Sequence, residues 1–193
     1  MQALRTGYTS IMIDGSHEAF EANIELSRRV VEACMPSNIP VEAELGKVGG
    51  KEDDLDGGEG SAYTDPEEAK TFVEKTGVNS LAVAIGTAHG IYKGEPKLDL
   101  ERLSEIARAV AIPLVLHGAS GVPDETVKMA IERGICKVNY ATELRIAYSE
   151  GVKEVLKENP DTIDPKKYGS AGISKVKRFV KEKMTTCGCA GKG

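Results

Sequence analysis

Short runs of β-branched and other apolar residues alternate along this chain with longer stretches in which apolar residues return at helical spacing. Residues 9–14 (Thr9-Ser10-Ile11-Met12-Ile13-Asp14) predict a strand, and residues 18–34 predict a helix with Phe20, Ile24, Val30 and Val31 on its apolar face. Pro36 and Pro40 break the pattern, and Val41-Glu42-Ala43-Glu44-Leu45 resumes it as a strand. Residues 46–62 are polar and glycine-rich and read as a solvated, mobile connector. Thr64-Asp65-Pro66-Glu67 then opens a helix, with a capping side chain and a proline in the first turn. Further strands are predicted at 80–85, 113–117 and 135–139, and further helices at about 99–110, 123–133, 142–156 and 174–184.

Five near-continuous apolar strands separated by helices imply parallel strands joined by crossovers, an α/β fold in a single domain over residues 1–193. With 193 residues and 40% apolar content, the chain can bury one substantial core. The polar residues say more. Asp14, Glu44, His89, His117 and Asn139 each fall at or just past the C-terminal end of a different predicted strand. In a parallel sheet that edge is where loops converge and ligands bind. A chance scatter would populate both edges, so five residues at one edge predict a site.

Thirty acidic against 25 basic residues give a net charge of −5, which repels a polyanion and excludes nucleic acid as the expected partner. A small phosphorylated ligand remains compatible, because it needs only a few amides and one cation. No run approaches the length of a membrane span, and Met1-Gln2-Ala3-Leu4-Arg5-Thr6 has no apolar signal core, so a cytoplasmic protein without a membrane partner is expected. Cys34, Cys136, Cys187 and Cys189 lack zinc-knuckle or CxxC spacing and read as reduced thiols, with metal binding at Cys187-Gly188-Cys189 the open alternative.

His89 in Gly86-Thr87-Ala88-His89-Gly90 and His117 in Leu116-His117-Gly118-Ala119-Ser120-Gly121 end consecutive predicted strands, and each precedes a glycine. A lone histidine points to structure or surface; this pair points to one shared metal ion. Imidazole suits zinc, and a catalytic zinc keeps three protein ligands and an open position. His17 is a third candidate by composition, but its place in a turn leading into a helix favours a capping or surface role. The loops Gly118-Ala119-Ser120-Gly121 and Asn139-Tyr140-Ala141-Thr142 precede helices and read either as caps or as phosphate cradles, and the adjacent histidine pair favours phosphate. The connector that starts at Glu44 carries carboxylates, which on a closing loop can transfer protons.

Together these segments resemble class II fructose-bisphosphate aldolases and their tagatose-bisphosphate aldolase relatives. The matching stretches are 9–17, 41–46 with 49–54, 84–90, 116–121 and 137–143, in family order and over essentially the whole chain. The resemblance implies a zinc-dependent aldehyde-lyase on a TIM (β/α)8 barrel. Such an enzyme reversibly cleaves fructose 1,6-bisphosphate to dihydroxyacetone phosphate and glyceraldehyde 3-phosphate in glycolysis and gluconeogenesis. It implies His89 and His117 as two of three zinc ligands, Asp14 and Glu44 as acidic positions for a second or alternative divalent ion, and Glu52 as the base that takes the substrate proton. Gly90, Lys93, Gly118, Ala119, Ser120, Asn139, Tyr140, Ala141 and Thr142 are implied around the phosphosugar substrate and its phosphate, where a monovalent cation (Na+ or K+) assists. Relatives of this class are commonly homo-oligomers.

The chain also departs from the family. A complete barrel needs about 250 residues and eight strands, and the first of the five predicted strands already matches the family's fourth. A Leu-Asp-His-Gly motif, whose His is the third zinc ligand and whose Asp handles a hydroxyl proton, has no counterpart. The expectation is the C-terminal part of an aldolase barrel, lacking the first three βα units, with Met1 an internal or artificial start. Such a chain should bind zinc weakly, have little or no activity and associate through open strand edges. Tyr168-Gly169-Ser170-Ala171-Gly172 replaces a Gly-Pro-Ala-Arg-like segment, which removes the expectation that it anchors a second phosphate. The alternatives are a tagatose-bisphosphate aldolase and a non-catalytic phosphosugar-binding fragment. A zinc-free isomerase barrel is disfavoured by the paired histidines.

Overall fold

A computed structural model of the chain describes residues 2–52, 55–56, 63–92 and 94–192, with backbone alone at residues 50–52 and 55–56. A short helix α1 (Gln2–Arg5) precedes strand β1 (Ile11–Ile13), helix α2 (Phe20–Cys34) and strands β2 (Val41–Leu45), β3 (Gly49–Glu52) and β4 (Leu55–Asp56). Helix α3 (Pro66–Thr76), strands β5 (Ser80–Val83) and β6 (Ala88–His89), helix α4 (Leu100–Ala109) and strand β7 (Leu114–Leu116) follow. Helix α5 (Asp124–Glu132), strand β8 (Ile135–Val138) and helices α6 (Thr142–Glu158) and α7 (Pro165–Thr186) complete the order. The five expected strands form one sheet, β1-β2-β5-β7-β8, with every neighbouring pair parallel.

Alternation along the strands gives the sheet two faces of different chemistry. Val41, Ala43, Leu45, Leu81, Val83, Leu114 and Leu116 join Ile24, Phe72, Leu103 and Ile106 from the helices in one hydrophobic core. The residues between them form the other face. There Glu44 pairs with Ala82, Ala82 with Val115 and Val115 with Lys137 across successive strands. Charge stands at the ends of this row, and Ala82 and Val115 between them leave Lys137 room to reach Glu42, two residues before Glu44 on β2.

Helix starts follow the sequence signals. The Asp65 carboxylate accepts from the Glu67 and Glu68 amides at 2.9 and 3.1 Å, with Pro66 in the first turn of α3. Helix α7, by contrast, begins at Pro165 rather than 174, because the Asp164 carboxylate accepts from the Lys166 amide at 2.9 Å and Pro165 continues that cap. Glycines in both helices serve the packing of α6 on α7. A Cβ on Gly151 would lie 2.7 Å from the Ala171 backbone, and one on Gly172 would lie 2.7 Å from the Tyr148 ring.

The connector expected over 46–62 is only partly a connector. Strand β3 pairs antiparallel with β4 and parallel with β6, making a second, three-stranded sheet β4-β3-β6. Its Gly-Gly-Lys-Glu sequence has no apolar alternation to announce a strand; the exposed backbone of β6 supplies the pairing. Among the described residues no helix is long and apolar enough to cross a membrane.

Phe72 is fully buried and its ring stacks at 6.4 Å from that of Phe20, joining α3 to α2 above β2. Phe72→Ala is expected to cost about 3–5 kcal/mol, read from urea unfolding; a loss below about 1 kcal/mol would place the core elsewhere.

Candidate active site

Two glutamates on one strand face and a histidine at the end of another are the buried acidic and histidine side chains among the described residues. Glu42, Glu44 and His117 are 6%, 3% and 4% exposed. His117 stands between the carboxylates, with Nε2 2.9 Å from Glu42 Oε1 and Nδ1 2.8 Å from Glu44 Oε2. Lys137 Nζ donates to both Glu42 oxygens, at 2.8 and 3.1 Å. Unpaired, the charges on Glu42, Glu44 and His117 would be expensive to bury; together they compensate, with half-exposed Lys137 adding a further positive charge. Burial opposes a charged imidazole, but hydrogen bonds and the fields of Glu42 and Glu44 outweigh it and push His117 up to about 9. Burial likewise works against the Glu42 anion, yet His117 and Lys137 hold its carboxyl below the usual range.

His89 lies in β6 rather than at the end of β5, which stops at Val83. It still comes close: the His89 and His117 ring centroids are 6.2 Å apart, with 38° between planes. Backbone contacts between the two loops set that distance. Gly118, directly after His117, has φ +66°, and a Cβ there would lie 2.6 Å from the carbonyl oxygen of Ala88, directly before His89. The Tyr92 hydroxyl accepts from the Ala88 amide and donates to the Gly118 carbonyl, each at 2.7 Å. Burial raises the Tyr92 phenol, partly offset by that amide.

The remaining acidic and histidine candidates have local partners of their own. Asp14 follows β1 and spends one oxygen on the Ser16 amide at 2.9 Å, with His17 Nε2 3.8 Å from the other. His17 is thus a surface partner of Asp14, as its position suggests. The Glu44 backbone is fixed from α2, where buried Asn23 donates to its carbonyl at 2.9 Å and accepts from Ser27 at 3.1 Å. The Glu52 side chain and Lys93 lie outside the described residues. The backbone of β3 nevertheless runs beside β6, with Gly49 opposite Ala88 and Gly50 opposite His89.

In the two loops expected to hold phosphate, the hydrogen bonds show mutual capping. The Ser120 hydroxyl accepts from the Ala141 and Glu143 amides at 3.2 and 3.4 Å, and the Gly121 amide donates to Glu143 Oε2 at 3.1 Å. The Asn139 amide donates to the Leu116 carbonyl at 3.0 Å, and its carbonyl accepts from Ala119 at 3.3 Å. Tyr140 faces α7: its ring meets Phe179 edge-on at 6.1 Å, and Lys183 lies 5.1 Å from its centroid. Its buried hydroxyl makes no hydrogen bond of ordinary geometry among the described residues, the Cys187 thiol being a polar neighbour, and burial raises the phenol.

A divalent ion sits about 2 Å from an imidazole nitrogen, so rings at this separation can share one ion. The donor set, two imidazoles with a carboxylate beside one of them, has the chemistry of a zinc site. Among the described residues no three His, Cys, Asp or Glu side chains converge to hold a metal ion.

Glu42, Lys137, Asn23 and Tyr92 carry no assigned role in the sequence reading. For Glu42 and Lys137 a signal exists, since both are charges inside apolar parallel strands. For Asn23 and Tyr92 there is none, because their partners are backbone groups far away in sequence. Tyr92→Phe is expected to cost about 1–3 kcal/mol and to speed hydrogen exchange at the Ala88 amide, with Gly118→Ala costing more. Unchanged exchange at Ala88 in Tyr92→Phe would show that this clasp does not hold the histidine loops together.

The family model for class II fructose-bisphosphate aldolase matches residues 1–192. The crystal structure of the YdjI aldolase from Escherichia coli K12 is 42% identical with a TM-score of 0.83, covering 98% of this chain and 65% of that one. A protein from Coccidioides immitis, provisionally assigned as a fructose-1,6-bisphosphate aldolase, is 34% identical with a TM-score of 0.86, covering 98% of this chain and 66% of its own. Fructose-bisphosphate aldolase from Campylobacter jejuni, at 23% identity and TM-score 0.76, shares the fold over 94% of this chain and 61% of its own. This chain thus spans 65% of the length of the Escherichia coli relative. It belongs to the class II fructose-bisphosphate aldolase family.

Proposed function

We propose that this chain carries the metal and phosphosugar side of a zinc-dependent aldolase site. The proposed reaction is reversible cleavage of fructose 1,6-bisphosphate, with tagatose bisphosphate the alternative substrate. The supporting observation is the 6.2 Å approach of His89 and His117 from separate strands, held by the contact of Gly118 with Ala88. His89 and His117 would hold the ion, with Glu44, and Asp14 from the β1 loop, offering carboxylates to a second or alternative divalent ion. Such an ion supplies Lewis-acid stabilisation of oxyanion charge, worth several kcal/mol. Glu52 takes the carbon proton; its strand β3 runs in register with His89, which supports that role.

Gly90, Lys93 and the loops of Gly118-Ala119-Ser120 and Asn139-Tyr140-Ala141-Thr142 bind and orient the phosphate end, with a monovalent cation. Ser120 serves chiefly by bracing the second loop against the first. The five parallel strands correspond in this reading to barrel strands four to eight, in a homo-oligomeric enzyme. The exposed Met12 on edge strand β1 supports association there.

With three histidines in the sequence and His17 paired to Asp14 at the surface, the 193-residue chain supplies two zinc imidazoles. Zinc titration is expected to show weak binding that His89→Ala and His117→Ala each abolish, with fructose-bisphosphate cleavage near background. Full cleavage by this chain would overturn the expected low activity. Zinc binding untouched by either histidine substitution would overturn the metal reading. The absence of three converging donors among the described residues favours one second reading, a phosphosugar-binding protein without catalysis. Dihydroxyacetone phosphate binding that survives chelation would select it.

A further inference from the structure

The Glu42 carboxylate is not needed by the reading above, yet it is buried, and both its oxygens are committed. Oε1 lies 2.9 Å from His117 Nε2, and Lys137 Nζ reaches Oε1 at 3.1 Å and Oε2 at 2.8 Å. A carboxylate with no ligand of its own to hold, tied behind an imidazole, is the arrangement that fixes a metal-binding histidine. The two ring nitrogens of His117 are therefore not equivalent. Nε2 faces a carboxylate already fastened by a lysine on β8, whereas Nδ1 faces Glu44 at 2.8 Å, a carboxylate that can itself approach an ion. We propose that Glu42, anchored by Lys137, is a positioning residue that occupies His117 Nε2 and so commits His117 to bind the divalent ion through Nδ1.

The fold explains why this pair can form. Glu42 and Lys137 come from β2 and β8, separated in the sheet by β5 and β7. Ala82 and Val115 lie between these strands on the same face, and neither side chain is long enough to block the span. Lys137, in the β8 sequence Ile135-Cys136-Lys137-Val138, is half-exposed, and its ammonium reaches back over the sheet face to buried Glu42. Glu42 touches neither substrate nor ion in this arrangement; it acts through His117.

The inference rests on the metal reading, and the test separates the two. Cadmium-113 is added to the 15N-histidine-labelled chain, and the metal–nitrogen coupling of His117 is read by NMR. Coupling through Nδ1 is expected, and coupling through Nε2 would overturn the proposal without using any variant. Zinc titration of Glu42→Ala should show affinity lower by about 10–100-fold, with Glu42→Gln, which keeps a hydrogen-bonding oxygen, recovering part of it. Lys137→Met should give a smaller loss in the same direction. Wild-type affinity in a folded Glu42→Ala chain, checked by its melting curve, overturns the positioning role while leaving the metal reading intact. Failure of the wild-type chain to bind either metal overturns both.

Discussion

One buried histidine held between two carboxylates organises this molecule. His117 ties β7 to β2 across the intervening β5, through Glu42 on one side of its ring and Glu44 on the other. None of the three side chains would be stable at this depth alone, because an unpaired charge in a low-dielectric interior costs several kcal/mol. Lys137 completes the balance from β8. The sheet face opposite the helices is thus cross-linked by charge, while the face toward the helices is closed by apolar packing.

The second constraint is the backbone contact that brings His89 to this cluster. His89 does not extend from β5; it sits on a two-residue strand whose position depends on the Gly118 loop and on Tyr92. Any side chain at Gly118 would strike the Ala88 carbonyl, so the approach of the two rings is bound up with the absence of a Cβ at that point. The short strand has a second use: it pairs with Gly49 and Gly50 of β3, the strand that ends at Glu52. The proposed metal donors and the proposed base therefore share one local scaffold.

The parallel α/β organisation was legible in the sequence, because continuous apolar runs broken by amphipathic helices leave little choice of layer. Helix starts at Asp65-Pro66 were equally legible, since a capping carboxylate and a proline act within a few residues. The start of α7 at Pro165 was not read, although Asp164 carries the same signal, and the stretch that follows includes Gly169 and Gly172. Their cost in a helix is offset by contact with α6, which no local window contains. β3 escaped for a related reason: its pairing comes from β6, 39 residues further along the chain in both the Gly49–Ala88 and the Gly50–His89 pairs, and its own residues show no period.

Sequence by itself determined the family, the strand succession and the two histidines, since residue type and order within short motifs carry that information. Tertiary structure decided which polar groups meet. It set Asp14 beside Ser16 and His17, turned Tyr140 toward α7, made Ser120 a cap for its neighbouring loop, and gave Glu42, Asn23 and Tyr92 their partners. The physical reason is range: propensity and capping act over one turn, whereas burying a charge requires a counter-charge whose position only the closed fold supplies.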